Sequence, residues 1–182
     1  MLKRFALLVT AAAVLQGCGV SMTRYEPNFD NVQILKQQAP LSAMNAPSVV
    51  ADKGLDSISV RTNPIRSPDG SLSKHVQQAL EAELRLAGLL EPTASRHLDV
   101  QLRQNSLTAG MGSGEGVIGA DFKLSEGSTV LYSGSKTVTS TWDSSFVGAI
   151  AIPAAANAYN PLVRKLLAEL YQDPAFIKAL KQ

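Results

Sequence analysis

The clearest pattern in the chain is a three- and four-residue recurrence of apolar positions between Ser71 and Gly88. Leu72, Val76, Ala79, Leu80, Leu84 and Ala87 form one stripe, while Lys74, Gln77, Gln78, Glu81 and Arg85 take the opposite side. Ser71 is placed to cap the helix, Gly88 to end it in a left-handed turn, and Glu81 with Arg85 to pair across one turn. Period-two alternation predicts four strands. Ile58 and Val60 alternate with serines and Arg61 in 56–62. Leu98, Val100 and Leu102 alternate in 98–103, and Ile118, Ala120, Phe122 and Leu124 in 118–124. A Thr-, Val- and Ser-rich run covers 129–142. Ser125-Glu126-Gly127-Ser128 is a short turn, so the last two strands run antiparallel. Beyond Phe146 the pattern turns helical. Asn160-Pro161 either opens a new helix or kinks one running from near Pro153, and Asp173-Pro174 opens a last short helix through Leu180. The expectation is an α+β domain over 51–182, with a four-stranded, mainly antiparallel sheet. The amphipathic helix and the C-terminal helices pack on one of its faces.

The N-terminal apolar stretch follows a different logic. Met1-Leu2-Lys3-Arg4 is a short basic region, and Phe5–Leu15 is an apolar run of about ten residues, well short of the ~20 that span a bilayer. It ends in Leu15-Gln16-Gly17-Cys18, which holds the only cysteine of the chain. These four residues resemble the lipobox of bacterial lipoproteins. The resemblance implies that 1–17 is a signal peptide cut between Gly17 and Cys18, and that Cys18 carries the lipid, including a palmitate-type acyl chain. Each buried methylene contributes roughly 0.8 kcal/mol, so two or more chains hold a protein to a membrane without a spanning helix. In such lipoproteins an aspartate after the cysteine implies inner-membrane retention. Gly19-Val20 stands here, which implies the outer membrane and its periplasmic face. Residues 18–50 carry Pro27, Pro40 and Pro47 among polar residues and read as a tether. The alternative is that Tyr25, Phe29, Val32, Ile34 and Leu35 dock on the domain or on a partner.

Charge adds one exclusion. The whole chain has 17 basic and 15 acidic residues, but two of the basic ones are Lys3 and Arg4. A near-neutral remainder of about 165 residues suits one domain and offers no basic surface for nucleic acid.

Candidate chemistry is sparse. Gly114-Glu115-Gly116-Val117-Ile118-Gly119 fits G-x-G-x-x-G, but it leads into a period-two run and not into a helix, so no dinucleotide cofactor is expected. The surrounding run 107–116 is read as a glycine-rich link with Met111 at its centre. The two histidines, His75 and His97, stand in no metal-ligand or nucleophile pattern and are expected at boundary or surface positions. No paired carboxylates are forced together, so no catalytic residue, metal or cofactor beyond the lipid on Cys18 is assigned. Trp142, Phe146, Val147, Ile150 and Ile152 form an apolar set that either packs in the core or forms an exposed contact patch.

In layout the chain resembles the small YajG-type lipoproteins and is similar to auxiliary lipoproteins of bacterial envelope transport systems. The features that carry this are the lipobox, the linker, a strand, the 71–88 helix, a meander with a glycine turn and a helical tail. That resemblance implies no enzymatic activity. The expected function is an accessory or assembly subunit of an envelope complex, attached to the membrane by lipid and acting through other envelope proteins, with Met111, Trp142, Phe146 and Ile150 as candidate contacts. The alternatives are a periplasmic lipid or small-ligand carrier with its cleft around Phe146, and a periplasmic hydrolase built on a Ser–His pair.

Overall fold

The computed structural model describes residues 19–182, so the signal peptide, Gly17 and Cys18 lie outside the described residues. The fold is α+β. Its elements run β1 (Val20–Ser21), α1 (Phe29–Gln37), β2 (Ser48–Ala51), β3 (Ile58–Val60), β4 (Asn63–Arg66), α2 (Leu72–Ala87), β5 (Arg96–Ala109), β6 (Ser113–Glu126), β7 (Thr129–Asp143), α3 (Gly148–Tyr171) and α4 (Pro174–Leu180). A four-stranded sheet has the order β2-β5-β6-β7, and a three-stranded sheet has the order β1-β4-β3.

The large sheet is a long meander with a parallel edge. β5, β6 and β7 are antiparallel neighbours, and β2 joins β5 in parallel with Ser48 opposite Asp99. The first strand expected from the sequence therefore belongs to the small sheet, and the fourth place in the large sheet falls to β2. A segment read as tether supplies that strand.

β5 and β6 also run much further than their alternation suggested. The inward positions of β5 are Leu98, Val100 and Leu102, and then, past a bulge at Leu102/Gln104, Asn105 and Leu107. One extra residue resets which parity faces inward, so the period-two signal stops at Arg103 while the strand continues. In β6 the glycines that suggested a flexible link are ladder residues. Trp142 occupies the space above Gly114, and Leu107 and Leu162 crowd Gly116 within 3.0 Å of where a Cβ would sit. Only Gly110–Gly112 remain as the hairpin tip.

The helices cover one face of the large sheet. α2 is capped by Ser71, whose hydroxyl accepts from the Lys74 amide, and ends at Gly88 with φ of 76°. α3 is one 24-residue helix with Pro153 and Pro161 inside it, which settles the Asn160-Pro161 alternative in favour of a continuing helix. Asp173 caps α4 by accepting from the Ala175 amide. Burial pushes the Asp173 carboxyl up, but hydrogen bonds from Lys136 and Tyr132 on β7 outweigh it and hold the group down at about 2. Leu80, Leu84, Phe122, Leu124, Tyr159, Leu162, Leu166 and Phe176 fill the layer between helices and sheet.

The far side of the large sheet is polar. Arg103 bridges Asp52 at 3.1 Å and Asp121 at 2.7 Å, and Lys123 reaches Asp99 at 3.2 Å. These are exposed pairs of both signs, each worth little on its own. Phe122, at the centre of the packed layer, has no exposed surface. Phe122→Ala is expected to cost about 3–5 kcal/mol, read as a lower midpoint with unchanged slope in equilibrium urea unfolding.

Candidate functional site

Two features are set up with more care than packing requires. One is a buried polar lock on the N-terminal segment, and the other is an apolar tip held by an arginine.

The lock replaces the expected tether. Val20 and Ser21 pair in parallel with Ile65 and Arg66, and Met22 is buried. Thr23 and Arg24 offer carbonyls to the Asn160 amide at 3.1 and 3.2 Å. The other side of Asn160 meets His75 Nε2 at 2.7 Å, and His75 Nδ1 meets Asp69 at 2.7 Å. His75 has no exposed surface, which corrects its expected boundary position. Its two ring nitrogens are both engaged, so it acts as a strut between the turn before α2 and α3. Further along, the Tyr25 hydroxyl donates to Glu83 at 2.6 Å and the Asn28 amide does so at 3.0 Å. The Asn31 side-chain amide reaches both Glu83 oxygens and the Arg164 carbonyl. α1 then lays Val32 and Leu35 into the core. Of the residues named for docking, Val32 and Leu35 are buried, Tyr25 and Ile34 pack partly, and Phe29 points to solvent.

Glu83 is the unusual member. Burial pushes its pKa up, and the donors from Tyr25, Asn28 and Asn31 offset this only in part. The Tyr25 hydroxyl is pushed far up by its own burial and by the carboxylate it faces, so it stays protonated and donating. Neither Glu83 nor His75 carries a local sequence signal, because both sit on the stripe side of an otherwise ordinary amphipathic helix.

The tip lies where the β5–β6 hairpin, the β3–β4 turn and the start of α3 meet. Arg61 sits in the β3–β4 turn with φ of 49°, followed by Thr62 at 66°. Left-handed backbone at non-glycine residues costs on the order of 1 kcal/mol or more each. The Arg61 guanidinium offsets this by donating to four backbone carbonyls: Ala109 at 3.0 Å, Gly110 at 2.7 Å, Ser145 at 2.7 Å and Phe146 at 2.9 Å. It thereby ties the hairpin tip to the β7–α3 connection. Met111 (76% exposed), Phe146 (75%) and Ile150 (60%) project outward, with Val147 half exposed. Arg61, Ala109, Gly110, Met111 and Phe146 line a shallow hollow between them.

The named contact residues therefore divide. Met111, Phe146 and Ile150 share one exposed end. Trp142 is partly buried beside Gly114 and Gly116, and its Nε1–H finds no acceptor among the described residues. Ile152 turns inward to the core. Phe146 does not line a cleft between helix and sheet, as the carrier alternative required. It stands just before the first turn of α3, and the helix–sheet layer behind it is filled.

The remaining chemical candidates are at the β2–β5 edge. His97 Nε2 lies 3.2 Å from the Ser48 hydroxyl, so a Ser–His contact exists. The Asp99 carboxylate lies 2.8 Å from that hydroxyl and 3.1 Å from the same ring nitrogen. The Asn45 amide, turned with its nitrogen to the ring, donates to Nδ1 and leaves the proton on Nε2. Both hydrogens then point at Asp99, whereas a nucleophile–base pair needs the histidine to accept from the serine. Among the described residues no cluster of three or more His, Cys, Asp or Glu is arranged to hold a metal ion, and no helix is long and apolar enough to cross a membrane.

No family model matches the sequence, and no curated protein matches it. Among solved structures, the chain is similar to a DUF330-family protein from Xanthomonas campestris. The identity is 18%, the TM-score 0.56, and 87% of this chain and 95% of that one are covered. A candidate lipoprotein from Caulobacter crescentus CB15 matches at 15% identity and TM-score 0.48, over 84% of this chain and 98% of that one. PelC from Paraburkholderia phytofirmans, a dodecamer, matches at 20% identity and TM-score 0.41, over 70% and 87%. The Xanthomonas protein shares the fold, and at 18% identity the likeness is one of fold alone.

The lock carries a pH signature. A carboxyl with a raised folded-state pKa remains protonated in the folded chain where the unfolded chain has ionised. Stability is then full below the ordinary carboxylate range and falls as pH rises through the raised value. Urea unfolding followed from pH 4 to 8 should show this decline, and Glu83→Gln should flatten it while keeping the Tyr25 and Asn28 contacts.

Proposed function

We propose that this chain is a lipid-anchored protein of the bacterial envelope. It is held at the periplasmic face of the outer membrane and works without chemistry of its own, as an accessory or assembly subunit that contacts other envelope proteins. The single observation behind the anchor is Leu15-Gln16-Gly17-Cys18, where the only cysteine of the chain closes an apolar run of signal-peptide length. Gly19-Val20 after the cysteine favours the outer membrane, on the same resemblance that identifies the lipobox.

The fold supports a contact role in two ways. Helices cover one face of the large sheet, and the other presents Asp52, Asp99, Arg103, Asp121 and Lys123 in a lattice of both signs. Such a surface favours a partner of complementary pattern over a strongly charged polymer. At the β2–β5 edge the hydrogens of Ser48 and His97 both face Asp99, which favours a structural role for that trio.

Cys18→Ser tests the anchor. The expected outcome is loss of the lipid mass, accumulation of uncut precursor and release of the protein from washed outer membranes. Normal cleavage and membrane retention of that variant would overturn the reading. Crosslinking in intact cells, with photoreactive groups placed at Arg103 and at Lys123, should capture a discrete envelope protein. Labelling no stronger than at an exposed position off the sheet, such as Lys36, would count against this face as the contact surface.

A further inference from the structure

Gly19, the first described residue, and the apolar tip lie at the same end of the molecule. β1 runs parallel to β4, with Val20 opposite Ile65 and Ser21 opposite Arg66. Traced backward, β1 therefore heads toward Asn63 and the Arg61–Thr62 turn. Gly19, the residue that follows Cys18, already lies beside the Pro64 carbonyl and the Arg66 side chain. The Arg61 guanidinium in turn holds the hairpin tip and the start of α3. The opposite end is marked by the β6–β7 turn, where Glu126 pairs with Arg96 twelve register steps from the Ala109–Gly114 pair. At roughly 3.3 Å per residue the two ends are about 40 Å apart.

The chain has no slack from its first strand onward. From Val20 onward it is held by the β4 ladder, by Asn160 and then by Glu83. A lipid on Cys18 then brings this end of the domain against the bilayer, where Met111, Phe146, Val147 and Ile150 are the large apolar side chains facing out.

The geometry points to a second membrane contact: the Met111–Phe146–Ile150 tip enters the lipid interface beside the anchor and sets the orientation of the domain. This rests on the lipidation of Cys18 proposed above. The occupant is the lipid itself, because the anchor delivers this end to lipid before any protein can reach it. Burial of these side chains in the acyl boundary follows the same apolar logic as an interfacial helix face. Charge does not drive it. Arg61 is engaged with backbone carbonyls, and the exposed ionisable groups at this end are Arg66 beside Gly19 and the acids Glu115 and Asp143, which do not sum to a positive surface. Contact should therefore change little as the anionic lipid fraction is varied.

The test uses the mature lipidated protein in vesicles of phosphatidylethanolamine and phosphatidylglycerol. With Cys18 acylated the parent has no free thiol, so Met111→Cys, Phe146→Cys and Ser128→Cys each accept one environment-sensitive dye. The dye at 111 and at 146 is expected to be several-fold brighter and blue-shifted, and to be quenched by lipids carrying a nitroxide on the acyl chain. At 128, in the distal turn, it should behave as in water. Three results would overturn the inference. Dyes at 111 and 146 that are as wet as at 128, on lipidated protein, leave the anchor intact and remove the second contact. A bright dye at 146 that nitroxide lipids do not quench shows the tip shielded by protein, in the same chain or a second copy, and removes the lipid contact. Dye uptake by the parent shows a free Cys18 and removes the anchor reading together with its consequence.

Discussion

The structure depends on a carboxylate inside it. Glu83 is buried on the core side of α2, where an acidic group is costly unless it is hydrogen-bonded. Its donors come from Tyr25, Asn28 and Asn31, all in the first third of the chain. Removing that segment would strip these donors from the Glu83 carboxyl, so the segment and the body specify each other. Asn160 repeats the arrangement from α3, holding the backbone of residues 23–24 on one side and His75 on the other. The N-terminal segment is thus part of the fold and not a lead into it.

That constraint gives the molecule a polarity. A flexible spacer would let the domain tumble above a membrane, and any end could face the lipid. A locked N-terminus fixes which end is presented. The same end collects the β3–β4 turn, the β5–β6 tip and the start of α3, and Arg61 ties the three together at the cost of two left-handed backbone positions. The polar outer face of the large sheet then stands roughly along the membrane normal in this account, open to partners from the side.

Much of the fold was legible in the sequence, and the illegible parts have physical causes. The α2 stripe, its serine cap and its glycine stop are local signals, and the structure reproduces the cap, the stop and the stripe from Leu72 to Leu84, with His75 and Glu83 added to the buried face. The Asp173-Pro174 start of α4 is equally local. The lengths of β5 and β6 were hidden because a bulge reversed the inward parity of β5, and because Trp142 and Leu107 supply the volume that the β6 glycines lack. The N-terminal segment looked like a spacer because what holds it lies far along the chain, at Glu83 and Asn160, and is polar. Apolar periodicity cannot register such partners. At the tip, Met111, Phe146 and Ile150 could be named as apolar residues in search of a role, but only the fold brings them to one end. Arg61 carries no sequence signal at all, since its partners are backbone carbonyls. Trp142 was grouped with them by proximity in sequence, and the strand sends it to the packed side.

The proposed anchoring rests the Gly19 end of the domain on the membrane with no spacer between. Neutron reflectometry of the lipidated protein on a supported bilayer measures this directly. Protein density is expected to begin within the headgroup layer and to extend about 40 Å, the length of the long hairpin. A hydrated gap between the headgroups and the protein, as a free tether of some thirty residues would leave, would contradict it.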